Sequence, residues 1–298
     1  MAARIIDGKA IAARVRGDVA REVEAFAAEH GGARPGLATI LIGEDPASAV
    51  YVGGKQKACK EVGIEGFDHR LPADVPREQV VALIERLNAD DAVSGILCQL
   101  PVPDHLDGTE LTNRISPEKD VDGLTVESAG RLALGLEGLR PCTPLGVMRL
   151  LQEAGAQLEG AEAVILGRSN LFGKPMGRLL VEANATMTLC HSRTRDLAAA
   201  SRRADVLIAA VGRPRLVQGD WIKPGAIVID VGITRSDDGL VGDVDFEAAK
   251  EVASAITPVP GGVGPMTIAC LLQNTLQAAR WTVSATVPSR TRRRDGAR

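Results

Sequence analysis

The 298-residue chain contains very few aromatic residues. Phe, Trp and Tyr together make up 2% of it, and there is a single tyrosine, Tyr51. The core must therefore be packed from Val, Leu, Ile and Ala, for which a hydrophobic content of 45% is ordinary. Since the length exceeds what one core comfortably supports, two domains are predicted.

Several other features are missing from the sequence, and each excludes a class of protein. No apolar run reaches the ~18 residues of a membrane span, and residues 1–18 lack the apolar stretch of a secretory signal. A net charge of −3 provides no overall field that would attract nucleic acid or an anionic membrane. The histidines and cysteines show neither a C-x-x-C pair nor metal-ligand spacing, so we predict no metal site. Scattered cysteines are typical of a reducing compartment, and the predicted location is the cytoplasm.

Short β-rich apolar runs alternate along the chain with amphipathic helical stretches. This alternation predicts the α/β class, with parallel sheets covered by helices on both faces. The stretch 102–142 is rich in Pro, Gly and Asp and interrupts the alternation, so we place a domain junction near its end. The predicted strands are 37–43, 95–101, 163–167, 186–191, 205–212 and 226–233, and the predicted helices lie near 9–29, 46–62, 76–89, 143–155, 175–184 and 265–280.

A glycine-rich turn follows the strand predicted at 163–167. Gly167 ends that strand, Gly173 lies six residues further on, and Pro175 is placed to open a helix. Glycines allow the backbone to approach a pyrophosphate, and a helix N-terminus presents free N–H groups to it. These features predict a dinucleotide site. Because the spacing G-x-S-x-x-x-G-x-P differs from G-x-G-x-x-G, an ordinary strand-to-helix turn stays open as the alternative.

The strand predicted at 186–191 ends without an acidic residue. A site that prefers NAD places Asp or Glu there to bind the ribose hydroxyls. Here Ser192, Arg193 and Arg195 follow the strand, and such groups can bind a 2′-phosphate that a carboxylate would repel. Arg168, inside the glycine turn, adds a second positive group. NADP is therefore predicted over NAD, with arginines that only aid solubility as the alternative.

The strands predicted at 205–212 and 226–233 continue the same sheet. Each has a glycine at or next to its last residue, at the edge where ligands lie in open α/β folds. We therefore expect Ile233 to lie beside the nicotinamide.

Tyr51 lies four residues before Lys55 on the helix predicted at 46–62. Residues four apart stand on one helix face, so the ring and the amine are expected to be neighbours. Gly53 and Gly54 between them destabilise a helix by roughly 1 kcal/mol each relative to Ala, which is tolerable if a ligand or another backbone comes close. The alternative for Lys55 is a solvated surface lysine.

Seven short blocks follow one another in an order that matches a known family. They are Y-V-x-x-K at Tyr51–Lys55, QLPVP at Gln99–Pro103, PEKDVDG at Pro117–Gly123, RPCTP at Arg140–Pro144, GRSNLFGKPM at Gly167–Met176, GAIVIDVGI at 225–233 and TPVPGGVGPMT at Thr257–Thr267. With these blocks the chain resembles the bifunctional methylenetetrahydrofolate dehydrogenase/cyclohydrolases over almost its whole length. Two departures are the Gly53-Gly54 pair, where bulkier residues are usual, and the Arg-rich tail after Trp281.

The resemblance implies an α/β fold of two domains. The folate-binding catalytic domain would cover 1–141 plus 271–285, where the C-terminal helix returns to it. A Rossmann-type NADP-binding domain with a doubly wound parallel sheet would cover 142–270. Residues 286–298 are expected to be a solvated, disordered tail. The resemblance further implies a homodimer, associated through the dinucleotide domains, and a place in one-carbon metabolism and purine biosynthesis.

Two reactions in one interdomain cleft are also implied. A hydride passes from the one-carbon bridge of 5,10-methylenetetrahydrofolate to NADP, giving the methenyl cation, and water then converts this to 10-formyltetrahydrofolate. By position, Tyr51 would stack on the folate and Lys55 would be the acid/base of hydrolysis. Gln99 would orient and tune Lys55, and Asp122 would hydrogen-bond the polar edge of the pterin.

The sequence and the resemblance together assign residues to catalysis, substrate binding and cofactor binding. The catalytic residues are Tyr51, Lys55, Gln99 and Asp122; the substrate-binding residues are Tyr51, Lys55, Gln99, Leu100, Pro101, Asp122, Pro260, Gly261 and Gly262; the cofactor-binding residues are Thr143, Gly167, Arg168, Ser169, Gly173, Lys174, Pro175, Ser192, Arg193 and Ile233.

Three alternatives stay open at this point. Another two-domain NADP oxidoreductase, such as a shikimate dehydrogenase-like enzyme, would pair an N-terminal Lys and Asp with a dinucleotide domain but would not need the Tyr-x-x-x-Lys helix or the PGGVGP loop. A non-catalytic NADP-binding protein would not need Lys55, Gln99 and Asp122 to be intact. For Asp122 alone, a loop or capping aspartate is the alternative.

Overall fold

The computed structural model describes residues 2–236 and 239–283, which group into two compact units. Unit 1 combines residues 2–13 with Thr143–Thr267, and unit 2 combines Arg14–Cys142 with residues 268–283. The predicted tail at 286–298 lies outside the described residues. No helix in the part of the chain that is described is long and apolar enough to cross a membrane.

The strands and helices follow one another along the chain in the alternation expected of an α/β protein. The strands are β1 (Arg4–Ile5), β2 (Gly36–Ile42), β3 (Glu65–Leu71), β4 (Gly95–Cys98), β5 (Glu162–Leu166), β6 (Thr186–Cys190), β7 (Val206–Ala209), β8 (Ile227–Asp230), β9 (Thr234–Ser236), β10 (Gly239–Val241) and β11 (Ala255–Ile256). The helices are α1 (Gly8–Glu29), α2 (Pro46–Val62), α3 (Arg77–Ala89), α4 (Gly108–Asn113), α5 (Val126–Ala133), α6 (Cys142–Glu153), α7 (Gly173–Glu182), α8 (Leu197–Ser201), α9 (Phe246–Lys250) and α10 (Val263–Val283).

Unit 1 is built on a parallel sheet of six strands in the order β1-β11-β8-β7-β5-β6. The chain passes from β5 outward to β6 and then returns to the other side of β5 to form β7 and β8. This reversal creates a topological switch point at β5, where open α/β sheets bind their ligands at the carboxyl ends of the strands. Val164, Leu207 and Val228 in adjacent strands are fully buried, which explains the continuous apolar runs in the sequence.

Unit 2 contains a parallel sheet of three strands in the order β3-β2-β4. All seven residues of the central strand β2 are buried. Helix α3 packs its apolar face into the same core, with buried Val80, Leu83, Ile84 and Leu87 at helical spacing. Aliphatic side chains therefore fill most of this core, with Cys98 buried among them and Phe67 packed against them.

The structure corrects several predicted element boundaries. The predicted strands 95–101, 205–212 and 226–233 each overrun by three residues, since β4, β7 and β8 end at Cys98, Ala209 and Asp230. The polar edge strand β3 was not predicted. The short helices α4 and α5, which lie in the stretch 102–142, were not predicted either. At the N-terminus the chain groups with unit 1, because β1 pairs with β11, whereas the sequence placed residues 1–13 in the first domain.

Candidate active site and dinucleotide-binding edge

Helix α2 of unit 2 holds Tyr51 and Lys55 one turn apart. Asp45 caps the helix by accepting a hydrogen bond from the backbone N–H of Ser48 at 2.7 Å. The side chain of Lys55 is 6% exposed, which rules out a solvated surface lysine, whereas Tyr51 keeps 38% of its surface exposed. A buried amine beside a partly open ring is an arrangement in which a flat ligand can cover both.

Gln99 fixes the amine of Lys55 from the neighbouring sheet. It follows β4 directly, at the carboxyl end of that strand, and its Oε1 accepts a hydrogen bond from Lys55 Nζ at 2.9 Å. Its Nε2 donates to the carbonyl of Leu100 at 2.7 Å, and this determines which end of the amide faces the lysine. The Leu100–Pro101 peptide bond that follows is cis, and Pro101 is exposed.

The two acids of the DVDG sequence have different surroundings. Asp120 is 1% exposed and accepts hydrogen bonds from the backbone N–H groups of Leu124 and Thr125 at 3.1 and 2.8 Å. It therefore organises its own loop. Asp122 is half-buried and interacts electrostatically with Lys55, so the role of holding the loop belongs to Asp120 rather than to Asp122.

Burial shifts the titration of this pair toward the neutral forms. It lowers the pKa of Lys55, an effect that the charge of Asp122 and the Cys142 thiol partly offset. Burial raises the pKa of Asp122, against the opposing charge of Lys55. The fraction of Lys55 that is unprotonated near neutral pH is therefore larger than for an ordinary lysine, as a general base requires.

Sequence reasoning missed two buried residues at this site. Cys142 is 1% exposed, and its single thiol proton serves either the Val121 carbonyl, at 3.2 Å, or the Asp122 carboxylate. Asn274 on α10 donates to the carbonyls of Val121 and Arg140 at 2.7 and 2.9 Å. An asparagine in an apolar helix is the signal that would have found Asn274, because buried amides need partners.

In unit 1 the turn after β5 meets the loop after β7. Gly167 has a φ of 121°, and a Cβ on it would collide with the carbonyl oxygen of Ala210. A Cβ on Gly173 would collide with the carbonyl oxygen of Gly167. Because the protein's own backbone requires both glycines, they do not by themselves show a ligand. Their location at the switch point, below a helix N-terminus, is what indicates a dinucleotide site.

The helix after this turn begins earlier than predicted. Helix α7 starts at Gly173, so Pro175 stands within its first turn, where its missing N–H is not needed. Ser169 is exposed, and its Oγ accepts a hydrogen bond from the N–H of Phe172 at 3.1 Å. Lys174 is also exposed and donates from Nζ to Asn170 Oδ1 at 2.7 Å.

The groups predicted to bind a 2′-phosphate are open to solvent. Ser192, Arg193 and Arg195, after β6, and Arg168, in the glycine turn, are all exposed. None of the three guanidinium groups has an ion-pair partner within residues 2–236 and 239–283. Asp196 is the nearest following acid, and it caps α8 by accepting from the N–H of Ala199 at 2.8 Å. The described residues directly after β6 therefore place no acid at the position where a site that prefers NAD has one.

The remaining predicted residues lie in unit 1. The hydroxyl of Thr143 is 3.0 Å from that of Thr267, and Ile233, three residues beyond β8, is 43% exposed. Gly261 has a φ of 108°, and Gly262 packs against Gly8 at the start of α1. In the described part of the chain no three His, Cys, Asp or Glu side chains are grouped to hold a metal ion.

Family comparison identifies what kind of protein has these two units. The model described as "Tetrahydrofolate dehydrogenase/cyclohydrolase, catalytic domain" matches residues 6–122. The model described as "Tetrahydrofolate dehydrogenase/cyclohydrolase, NAD(P)-binding domain" matches residues 141–283. The chain belongs to this family. The resemblance predicted from the seven blocks is confirmed, and the shikimate dehydrogenase-like alternative is not supported.

Individual relatives agree with the family assignment over nearly the whole chain. The bifunctional protein FolD 2 of Frankia alni is 61% identical over 94% of this chain and 97% of its own length. The crystal structure of the bifunctional FolD enzyme of Campylobacter jejuni is 47% identical, covers 94% of this chain and 99% of its own, and has a TM-score of 0.91. The Trypanosoma brucei FolD structure, in complex with NADP cofactor and an inhibitor, is 40% identical, with coverages of 95% and 99% and a TM-score of 0.91. The predicted two-domain α/β fold is thereby confirmed.

Proposed function

We propose that the protein oxidises 5,10-methylenetetrahydrofolate with NADP and hydrolyses the methenyl product to 10-formyltetrahydrofolate. The observation that carries this proposal is the buried amine of Lys55, held at 2.9 Å by Gln99 and coupled to Asp122. A protein that only bound a nucleotide would have no need to bury an amine and a carboxyl group here, because their loss of hydration destabilises the fold.

For the dehydrogenase step the protein chiefly positions the reactants. Bound NADP supplies the hydride acceptor, and the folate nitrogens stabilise the cation that remains, so no side chain has to move a proton. Arg193 and the adjacent Ser192, both exposed after β6, would hold the 2′-phosphate. Arg168, exposed after the neighbouring strand β5, would assist them. Tyr51 would offer its ring as a stacking surface for the pterin, which fixes the donor carbon.

Hydrolysis does require proton transfer, and here Lys55 acts. The neutral amine takes a proton from the water that attacks the methenyl carbon. Its ammonium form then protonates the ring nitrogen whose bond to that carbon breaks, while the intermediate's hydroxyl proton is released as the formyl group forms. Gln99 keeps the amine oriented, and Asp122, matched to the amidine-like edge of the pterin, positions the substrate.

The test separates the two activities. Lys55→Met removes the amine and keeps a similar apolar volume, so we expect methenyltetrahydrofolate hydrolysis to fall at least a hundredfold, within the range that general acid–base catalysis supplies. Hydride transfer to NADP should fall less than tenfold. Both rates are measured on one preparation, by reduced nucleotide and by the methenyl chromophore.

Lys57→Met is the matched control, since Lys57 is an exposed lysine two residues further along the same helix. It should leave both activities within about twofold, as surface substitutions usually do. Equal loss of both activities in a folded Lys55→Met protein would contradict the proposal that Lys55 acts as the acid/base of hydrolysis and not of hydride transfer. Absence of turnover in the unsubstituted protein would favour the non-catalytic alternative.

Other parts of the prediction rest on the resemblance. Contacts of Leu100, Pro101 and the Pro260–Gly262 loop with the folate stay predictions, as do contacts of Thr143 and Ile233 with the cofactor. The homodimer and the cytoplasmic location also stay predictions. Sedimentation of the purified protein measures its assembly state directly.

A further inference from the structure

Two buried carboxylates in unit 1 have no part in the chemistry described so far. Asp230 is 3% exposed and ends β8, while Asp243 is fully buried in the segment between β10 and α9. Between them they accept six hydrogen bonds, and every donor is a backbone N–H group. An ionisable pair buried in this way needs an explanation, because burial of a charge is unfavourable unless its partners are well placed.

Asp243 holds the loop that follows β7. Its Oδ2 accepts from the N–H groups of Val211 and Gly212 at 2.6 and 3.0 Å, and its Oδ1 accepts from that of Arg213 at 2.8 Å. Three consecutive amides are therefore tied to one side chain. The residue immediately before them, Ala210, is the one whose carbonyl oxygen packs against Gly167 in the dinucleotide turn.

Asp230 holds the segment that carries Asp243. Its Oδ1 accepts from the backbone N–H groups of Gly232 and Asp243 at 3.0 and 2.9 Å, and its Oδ2 accepts from that of Val244 at 2.9 Å. The contact with Gly232 also fixes the chain immediately before Ile233. The carboxyl end of β8 is thus linked through Asp230 and Asp243 to the loop at the switch point.

Glycines allow these carboxylates to lie directly against the backbone. A Cβ on Gly232 would collide with the carboxylate of Asp243, and a Cβ on Gly242 would collide with that of Asp230. Neither carboxylate is therefore available to a ligand. What they can do is hold two ligand-facing loops in one conformation, which loops without secondary structure do not achieve alone.

We propose that Asp243 is a positioning residue for the nicotinamide end of the dinucleotide, and that Asp230 holds Asp243 in place. Hydride transfer depends on the alignment of donor and acceptor carbons, and a displacement near 1 Å is enough to slow such a step about a hundredfold. The inference rests on the proposed function and adds a pair of residues that act on the dehydrogenase step alone. Hydrolysis does not use the dinucleotide and should not depend on either carboxylate.

The experiment replaces Asp243 by Asn in the full-length protein. Asn keeps one acceptor oxygen but directs an NH2 group at backbone N–H donors, so the loop at 211–213 must shift. We expect kcat of the dehydrogenase to fall at least tenfold, with KM for methylenetetrahydrofolate changed less than threefold. Hydrolysis of methenyltetrahydrofolate supplied directly should stay within twofold. The primary deuterium isotope effect on kcat, measured with substrate deuterated at the one-carbon bridge, should increase because hydride transfer becomes more rate-limiting.

Asp245→Asn is the control, because Asp245 lies two residues away and caps α9 through the N–H of Ala248 at 3.3 Å. It should leave both activities and the isotope effect unchanged. If Asp243→Asn does not fold, Asp230→Asn replaces it. That variant retains the Oδ1 acceptor and directs its NH2 group at the N–H of Val244 alone, so a smaller change in the same direction is expected.

The outcomes distinguish this inference from the proposed function. An unchanged dehydrogenase rate and isotope effect in folded Asp243→Asn protein would overturn the positioning role. A parallel fall of both activities with an unchanged isotope effect would reduce Asp243 to a residue that only stabilises the fold. If the unsubstituted protein turns over neither folate, the proposed function itself fails.

Discussion

At the scale of single residues, burial shifts the pKa values of three side chains to which a role has been proposed. Lys55 loses its proton more easily than an exposed lysine, and Asp122 holds its proton more firmly than an exposed aspartate, for the same reason of lost hydration. The third residue, Asp230, is buried among backbone donors. Burial raises its pKa from 3.8 to about 7, with the charge of Asp243 acting in the same direction and the N–H donors opposing it.

The raised pKa of Asp230 predicts how stability depends on pH. Between pH 4 and 7, roughly, the folded protein retains a proton that the unfolded chain has released, so the contribution of Asp230 to the free energy of unfolding decreases as pH rises. Above pH 7 this contribution is constant. The slope from one such group is at most about 1.4 kcal/mol per pH unit. Asp230→Asn should remove this slope. Chemical denaturation at roughly even steps of about one pH unit, from about pH 4.5 to about pH 7.5, would measure the change.

Asp205→Asn serves as the comparison for this measurement. Asp205 directly precedes β7 and is only half-buried, and its hydrogen bond with Lys223 lowers its pKa. Its contribution therefore has the opposite sign and is lost only as pH falls below the ordinary aspartate pKa of 3.8, so Asp205→Asn should leave the pH dependence of stability above about pH 4.5 unchanged. If Asp230→Asn and the unsubstituted protein have the same pH dependence, the proposed titration of Asp230 is wrong.

At the scale of elements, two glycine-to-alanine substitutions should act in opposite directions. A Cβ on Gly53, in the middle of α2, would have nothing within 4 Å, so Ala should stabilise the protein by up to about 1 kcal/mol through helix propensity. Gly167 has a φ of 121° and no room for a Cβ, so Ala should destabilise it, by about 1–3 kcal/mol for the backbone alone. Urea unfolding of the two variants tests both signs.

The Gly53→Ala variant also tests why α2 contains two adjacent glycines, Gly53 and Gly54. Gly54 also has space, since a Cβ there would be 3.6 Å from Ile268 Cδ1, an ordinary contact. Within residues 2–236 and 239–283 no backbone atom of another segment lies within 4 Å of a Cβ at Gly53 or Gly54, so the close approach of another backbone does not explain the pair there. An increase in KM for the folate in Gly53→Ala would show that the ligand requires the space. An unchanged KM with higher stability is the result we expect.

The sequence predicted the helices of the sheet-covering layers closely, because their apolar residues recur at helical spacing. Helix α2, for example, has the predicted bounds 46–62. The prediction of strand ends failed where an apolar run continues beyond the last residue of the regular strand. Residues 210–212 and 231–233 continue the apolar runs of β7 and β8. The N–H groups of Ala210 and Val231 still donate to carbonyls of neighbouring strands at 2.8 Å. Those of Val211, Gly212 and Gly232 donate to aspartate side chains instead, and the regular pairing ends there.

The sequence predicted only some residues of the candidate site, because long-range contacts cannot be read from sequence spacing. Lys55, Gln99 and Asp122 could be named because they sit in ordered blocks that resemble one family. Cys142 and Asn274 were not named, since their partners lie 21 and 153 residues away in the chain. Only the polar side chain of Asn274 in an apolar helix gave a signal, and it does not identify the partners. Spacing along a sequence contains no information on such contacts.

At the scale of the whole molecule, the weak net charge of −3 leaves cofactor choice to local groups. Arg193→Ala removes an exposed guanidinium beside β6, and a charged hydrogen bond to phosphate contributes about 1.5–3 kcal/mol. We therefore expect the Kd for NADP to increase at least tenfold, and the Kd for NAD to change less than twofold. Thermal unfolding of the full chain with each nucleotide measures both, since ligand at 100 times Kd stabilises by about 2.7 kcal/mol.

Arg202→Ala removes another exposed arginine from unit 1, one that donates to the Asp220 carbonyl at 3.3 Å. It should leave the shifts caused by both nucleotides unchanged. Equal weakening of NADP and NAD by Arg193→Ala would show that this arginine does not read the 2′-phosphate.

The pairing of β1 with β11 has a consequence for biosynthesis. Arg4 lies beside Ala255, so about 250 residues must be translated before the first strand meets its neighbour. At a ribosomal speed of about 5–20 residues per second, that delay is roughly 12–50 seconds. During this interval the nascent N-terminus has to stay soluble without its sheet, and a strand of only two residues, one of them arginine, exposes little that could aggregate meanwhile.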